Sequence, residues 1–214
     1  MTARNFDTLI KEIECNLPKE VDENIMGHKI GVVNKYFTTR AGLMYRAYEL
    51  ALSAHECANK NQIAASITLT RALFETVSVV GFLNYKVDIF NKDRDLACFD
   101  EVVMKVMLGS KSEGASYPSI NILTMIERID KTMPGFKLTY GNLSEFSHPN
   151  FAGTCGLYSE LSKGEITVFS KCNKGTEKHK SDTIDHICLA LDTLKYFHID
   201  MQEKIDNFCA NAEA

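Results

Sequence analysis

Residues 61–86 read NQIAASITLTRALFETVSVVGFLNYK, and this stretch decides the fold. Its apolar side chains, Ile63, Ile67, Leu69, Leu73, Phe74, Val77, Val79, Val80, Phe82 and Leu83, cover most of a helical circumference. A helix apolar nearly all round has no face to give to water and must lie inside other helices. One polar stripe breaks its surface: Thr68, Arg71, Glu75 and Ser78, at i, i+3, i+7 and i+10. Arg71 and Glu75 are one turn apart and can pair along the helix. On a central helix both need partners, because a lone buried charge is costly. The stripe is therefore either an anion clamp or a structural ion pair.

Working outward, residues 38–60 predict a second long helix. Leu43, Ala47, Leu50, Ala54 and Cys57 share a face, and Thr38 or Thr39 can cap it. Residues 181–211 predict a third. There Ile184, Ile187, Leu191, Leu194, His198, Met201, Ile205 and Phe208 alternate spacings of three and four, a heptad seam. Such a seam packs along a long antiparallel neighbour or against a second subunit. Shorter helices are expected over 6–17, 95–108 and 117–131, and a helix broken near Gly27 or Gly31 over 20–33. Residues 91–95 read as a charged turn and 109–116 as a mobile polar loop. Past residue 150 the character changes. Glycines recur at 153, 156 and 164, and the β-prone pairs flanking 162–164, at 157–158 and 166–169, predict a hairpin. The loop 171–180 is basic. The fold class is thus all-α, a helical bundle with a small β-hairpin insertion near residues 154–170. It reads as one domain, 1–214, with 1–37 a helical extension and 38–211 the bundle core.

Composition narrows the function classes. Apolar residues make up 45% and charged residues 24%, ordinary for a globular domain. A net charge of −4 argues against wrapping nucleic acid by bulk charge. The seven cysteines contain no C-x-x-C pair, which points to reduced thiols in a cytoplasmic protein. The N-terminal stretch is too amphipathic and acidic for a signal peptide, and no apolar run has the ~20 residues of a membrane span. No Walker loop, dinucleotide fingerprint or zinc spacing is present, so neither cofactor nor metal is expected. His179, Asp182 and His186 could share a metal at i, i+3, i+7. They read first as a solvated helix start, with Asp182 near the positive end of the dipole.

Chemistry concentrates at residues 140–150, YGNLSEFSHPN. A helix over 138–148 puts Tyr140, Ser144 and His148 on one face, with Leu143 and Phe146 anchoring another. Pro149 stops that helix, leaving His148 at its C-terminus where the dipole favours the imidazolium. A histidine near neutral pKa suits proton transfer, so His148 is the candidate acid or base. The same cluster could equally pin a helix end to the hairpin. Arg71, Glu75 and Glu145 are the candidate binding residues around it.

Two of these motifs carry a resemblance. The segment T-R-A-L-F-E-T at 70–76, followed far downstream by Y-x-x-L-S-x-x-x-H-P at 140–149 and a hairpin, resembles the HEPN-like helical proteins. In particular it is similar to bacterial branches found near abortive-infection and toxin–antitoxin genes, over roughly residues 38–211. The resemblance implies a bundle that dimerises. It also implies an RNA-directed effector of defence, a metal-independent ribonuclease in active members, with a cognate antitoxin or nucleotidyltransferase-type partner. The family histidine carries over to His148. The family arginine would fall at Gly141 or Asn142, and neither is an arginine. Asn142 could then orient a phosphate, with Ser144 and Tyr140 beside it, and Arg71 would supply the missing cation from the adjacent helix. The other expectation is a non-catalytic dimerisation or interaction module in which Arg71, Glu75 and His148 form an internal polar network.

Overall fold

The long central helix predicted by its apolar circumference runs from Ile63 to Asp93 and is the axis of the bundle. The computed structural model describes residues 5–21, 31–163 and 165–213. Among these the chain forms, in order, α1 (Phe6–Cys15), α2 (Gly31–Asn59), α3 (Ile63–Asp93), α4 (Leu96–Leu108), α5 (Ile122–Asp130), α6 (Phe136–Ser147), α7 (Cys155–Tyr158), β1 (Ser159–Leu161), β2 (Thr167–Phe169) and α8 (Lys174–Glu213). The architecture is all-α with one antiparallel two-stranded sheet, in register Ser159↔Phe169 and Leu161↔Thr167.

Helix α2 folds back on α3 through a tight turn in which Asn61 adopts a left-handed conformation, φ 56°. Asparagine tolerates this region because its short polar side chain can bond locally. Four fully buried alanines, Ala47, Ala51, Ala54 and Ala58, let the two helices approach closely, and Ser66 Oγ donates to the Ala54 carbonyl at 2.7 Å. Helix α8 lies beside both. Its seam residues Ile187, Leu191, Leu194, Met201 and Phe208 are buried within the chain itself. The main neighbour of α8 is α3, which runs parallel to it, as Asn84 meets Asp200 and Asn91 meets Asn211. Helix α2 is a lesser, antiparallel neighbour, where Tyr36 meets Phe208 and Arg40 meets His198. The core falls into two clusters along this three-helix axis. One is built around Phe74, Ile126, Phe136 and Leu191, under α1, α5 and α6; the other around Tyr36, Phe90, Phe99 and Phe208, under α4.

Several boundaries differ from expectation, each for a local reason. Helix α2 starts at Gly31, ahead of residue 38, so the boundary drawn there falls inside a continuous helix. Thr39 Oγ1 donates to the Lys35 carbonyl within that helix instead of capping it. Helix α3 continues past residue 86 to Asp93 because Val87 and Phe90 reach the second cluster. The charged turn shrinks to Arg94, left-handed at φ 61°, and Asp95, which caps α4 by accepting from the Cys98 amide. The fifth helix starts at Ile122, capped by Asn121. Leu157 and Tyr158, expected in a strand, close the short helix α7, where Leu157 is fully buried; the strands begin at Ser159. Most of the expected basic loop, from Lys174 on, is the first turns of α8. The expected break near Gly27 lies outside the described residues.

Helix α3 is, by length and composition, able to cross a membrane, but 56% of its most apolar window is buried inside the bundle. That burial fits the core helix of a globular domain. None of the seven cysteines is in a disulfide.

Candidate functional site

Helix α6 is held to α3 before any polar group is considered. Pro134 and Gly135 break the chain after α5, and Gly135 sits at φ 95°, a conformation open to glycine. Asp130 Oδ1 fixes this corner by accepting from the Gly135 and Lys137 amides at 3.0 and 2.9 Å. Phe136 then stacks on Phe74 with ring centroids 4.4 Å apart, and Leu143 is buried one face along. This rotation presents Tyr140 and Ser144 to the polar stripe of α3.

The four groups close a network. Arg71 Nε donates to Ser144 Oγ at 3.1 Å and Arg71 Nη2 to Tyr140 Oη at 3.2 Å. Tyr140 Oη donates in turn to Glu75 Oε1 at 2.9 Å, and the same carboxylate oxygen lies 3.1 Å from Arg71 Nη2. The guanidinium carbon stands 5.6 Å from the Tyr140 ring centroid, within cation–π range. Arg71 and Glu75 are each one-third exposed. Partial burial opposes the Arg71 charge, but the Tyr140 bond and the Glu75 carboxylate outweigh it and raise its pKa. The cluster is a saturated latch between two helices, with a neutralised cation at its centre.

His148 does not join it. Helix α6 ends at Ser147, and His148 is extended at φ −82°, ψ 147°, because the following proline ring excludes the α region. It therefore leaves the face that Tyr140 and Ser144 share. The ring is exposed and has no hydrogen-bond or ion-pair partner among the described residues. The expected internal network thus forms without its histidine. Glu145 points elsewhere too: it accepts from Asn150 Nδ2 at 2.6 Å, while Asn150 Oδ1 accepts from the Gly153 amide at 2.9 Å. Together they shape the tight return of the chain. A Cβ at Gly153 would strike the carbonyl oxygens of His148 and Phe146.

Asn142 lines a different feature, a cavity of about 290 Å3 between α6 and α8 that it shares with Phe146, Lys178, His179, Asp182 and His186. The His179 ring is tilted against Phe146 at 4.6 Å. Burial pushes the pKa of both His179 and His186 down, against the opposing pull of the nearby aspartates, so both favour the neutral form. Among the described residues no three acidic, histidine or cysteine side chains are grouped to hold a metal ion.

Sequence reasoning passed over one polar group altogether. Arg40 is 6% exposed and, among the described residues, its side chain hydrogen-bonds only to His198. The signal was present: Val33, Tyr36, Arg40, Met44 and Ala47 mark the buried stripe of α2, and an arginine in such a row is out of place. His198, on the heptad seam of α8, is the group that meets it.

Comparison with family models, curated proteins and solved structures finds no match to this chain.

Proposed function

We propose that this chain is a non-catalytic helical interaction module of the HEPN-like kind, working as a cytoplasmic homodimer. The observation that carries this reading is the commitment of Arg71 to Ser144, Tyr140 and Glu75, with His148 standing outside. A guanidinium opposed by its own carboxylate has little net charge to offer a phosphate. An acid or base with no oriented cation or second proton-transfer group beside it lacks most of what cleavage at phosphorus requires. In this reading the family's reactive motif survives as a latch that sets the position of α6. Cysteines without disulfides suit a reducing cytoplasm. The hairpin supplies material for an interface, since Leu161, Ile166, Val168 and Phe169 are all exposed on it. A second copy, a cognate antitoxin or a nucleotidyltransferase-type protein are the partners the resemblance suggests for such a surface.

The test is incubation of total RNA with wild type and His148→Ala in EDTA. Identical, uncut patterns are expected. Cleavage present in wild type and lost in His148→Ala would overturn the reading in favour of a metal-independent ribonuclease with His148 as acid or base. Light scattering should give twice the 24.0 kDa chain mass; a monomer at tens of micromolar would remove the homodimer.

A second reading keeps RNA as the partner and rests on the cavity between α6 and α8. Two neutral imidazoles, His179 and His186, stand there with Lys178 and the Asn142 amide. That set could move protons and orient a phosphate without a metal. It is distinguished by RNA cleavage that survives His148→Ala and is lost in His179→Ala or His186→Ala.

A further inference from the structure

Arg40 is the most conspicuous unused charge among the described residues. Its side chain is buried on α2, and its Nε has no hydrogen-bond partner among the described residues. Its Nη2 donates to His198 Nδ1 at 3.2 Å, so that nitrogen of the imidazole carries the lone pair and not the proton. Among the described residues no carboxylate pairs with it. An uncompensated charge this deep is expensive, and proteins rarely keep one without a counter-charge.

The same side chain lines a cavity of about 420 Å3, within the roughly 300–1,000 Å3 usual for small-molecule sites. Its other walls combine apolar side chains, Leu17 and Pro18 after α1, Phe37 and Ala41 on α2 and Ile205 on α8, with the polar Asn16, Asn34 and Gln202. Glu20, the one carboxylate among the described lining residues, is exposed and makes no ion pair with Arg40. A cavity of about 440 Å3 beside α4 differs in kind. Its cations are already occupied, Lys105 by Glu101 and Arg46 by the Thr76 hydroxyl.

We propose that the cavity between α1, α2 and α8 binds a small amphiphilic carboxylate, with the oxyanion on Arg40 and the apolar body along Leu17, Phe37 and Ile205. The planar guanidinium presents its donors in a fork that matches a carboxylate. The apolar walls give the rest of the ligand its place out of water. This site is separate from the Arg71 latch, and the inference stands whether or not the chain acts on RNA.

The test is calorimetric titration of the full chain with three probes. Octanoate carries charge and body, octanol the body alone, and inorganic phosphate the charge alone. Octanoate should bind saturably, with octanol and phosphate at least about tenfold weaker, the scale of one lost charge-assisted interaction. Arg40→Met should weaken octanoate at least about thirtyfold, and Arg40→Lys by less, since lysine keeps the charge and loses the fork. Ala41→Leu should block binding by filling the wall while leaving the charge in place. Arg46→Met, at the other cavity, should leave binding unchanged. A thermal melt supplies a readout that a merely structural arginine would fail. The empty Arg40→Met protein should melt no lower than wild type, because it sheds a buried unpaired charge. The proposal is overturned if octanoate fails to saturate, if it binds Arg40→Met or Ala41→Leu as wild type, if phosphate or octanol binds as tightly, or if the empty Arg40→Met protein melts lower.

Discussion

Arginine 71 shows how little one residue's identity says about its role. On α3 it is a half-buried cation one turn from a carboxylate; with α6 in place it becomes the hub of a four-membered network. Arg71→Met should remove two hydrogen bonds and leave Glu75 and Tyr140 with only each other. Because the pair is one-third exposed, water replaces part of what is lost, and a destabilisation of about 1–2 kcal/mol is expected. A thermal melt should fall by a few degrees; an unchanged midpoint would mean the latch contributes nothing. The histidines make a second prediction at this scale. His55, His179, His186 and His198 all have pKa values lowered, by burial first in each case, from an ordinary 6.5. The unfolded chain therefore takes up protons at a higher pH than the folded one. Stability should be complete above about pH 6.5 and decline as pH falls below it. Glu56 and Glu127, with pKa values lowered from 4.5 by their lysine partners, add to the loss only at more acid pH. Melting curves between pH 7.5 and 5 check this, and His186→Gln should flatten the slope.

At the scale of elements, the contact that sets the bundle's geometry is Gly81 on α3. A Cβ built there would fall on Ile129 Cδ1 of α5 and on the Phe197 ring of α8. Three helices therefore meet where one has no side chain. Gly81→Ala gains helix propensity worth about 1 kcal/mol but overpacks this junction. A net loss of roughly 1–3 kcal/mol is expected in urea denaturation; a variant as stable as wild type would show that the junction has slack. Helix identity and most of the seam of α8 were legible in the sequence, because apolar periodicity is a property of each segment alone. Helix ends were less so. Thr38 and Thr39 offer cap hydroxyls, yet α2 runs through them because Val33 and Tyr36 bury against α4 and α8. Tertiary burial outweighed a capping preference of about 1 kcal/mol.

At the scale of the whole molecule, two core clusters share the three long helices α2, α3 and α8, which makes them one cooperative unit. Phe74→Ala in one and Phe208→Ala in the other should each cost about 3–5 kcal/mol. Each should move a single transition, with circular dichroism and tyrosine fluorescence coinciding. Two separated transitions would instead divide the chain into independent halves. The sequence by itself determined the all-α class, the buried character of α3, the heptad seam, the presence of a hairpin and the helix stop before Pro149. These follow from periodicity, backbone sterics and composition, all of them local. Only the tertiary structure decided which polar groups meet. Arg71 finds Ser144 and Tyr140, His148 finds no partner among the described residues, and Arg40 finds His198, 158 residues away. Those pairings depend on how each helix is rotated and crossed against its neighbours. A charged residue on a helical stripe looks the same in sequence whatever waits opposite it.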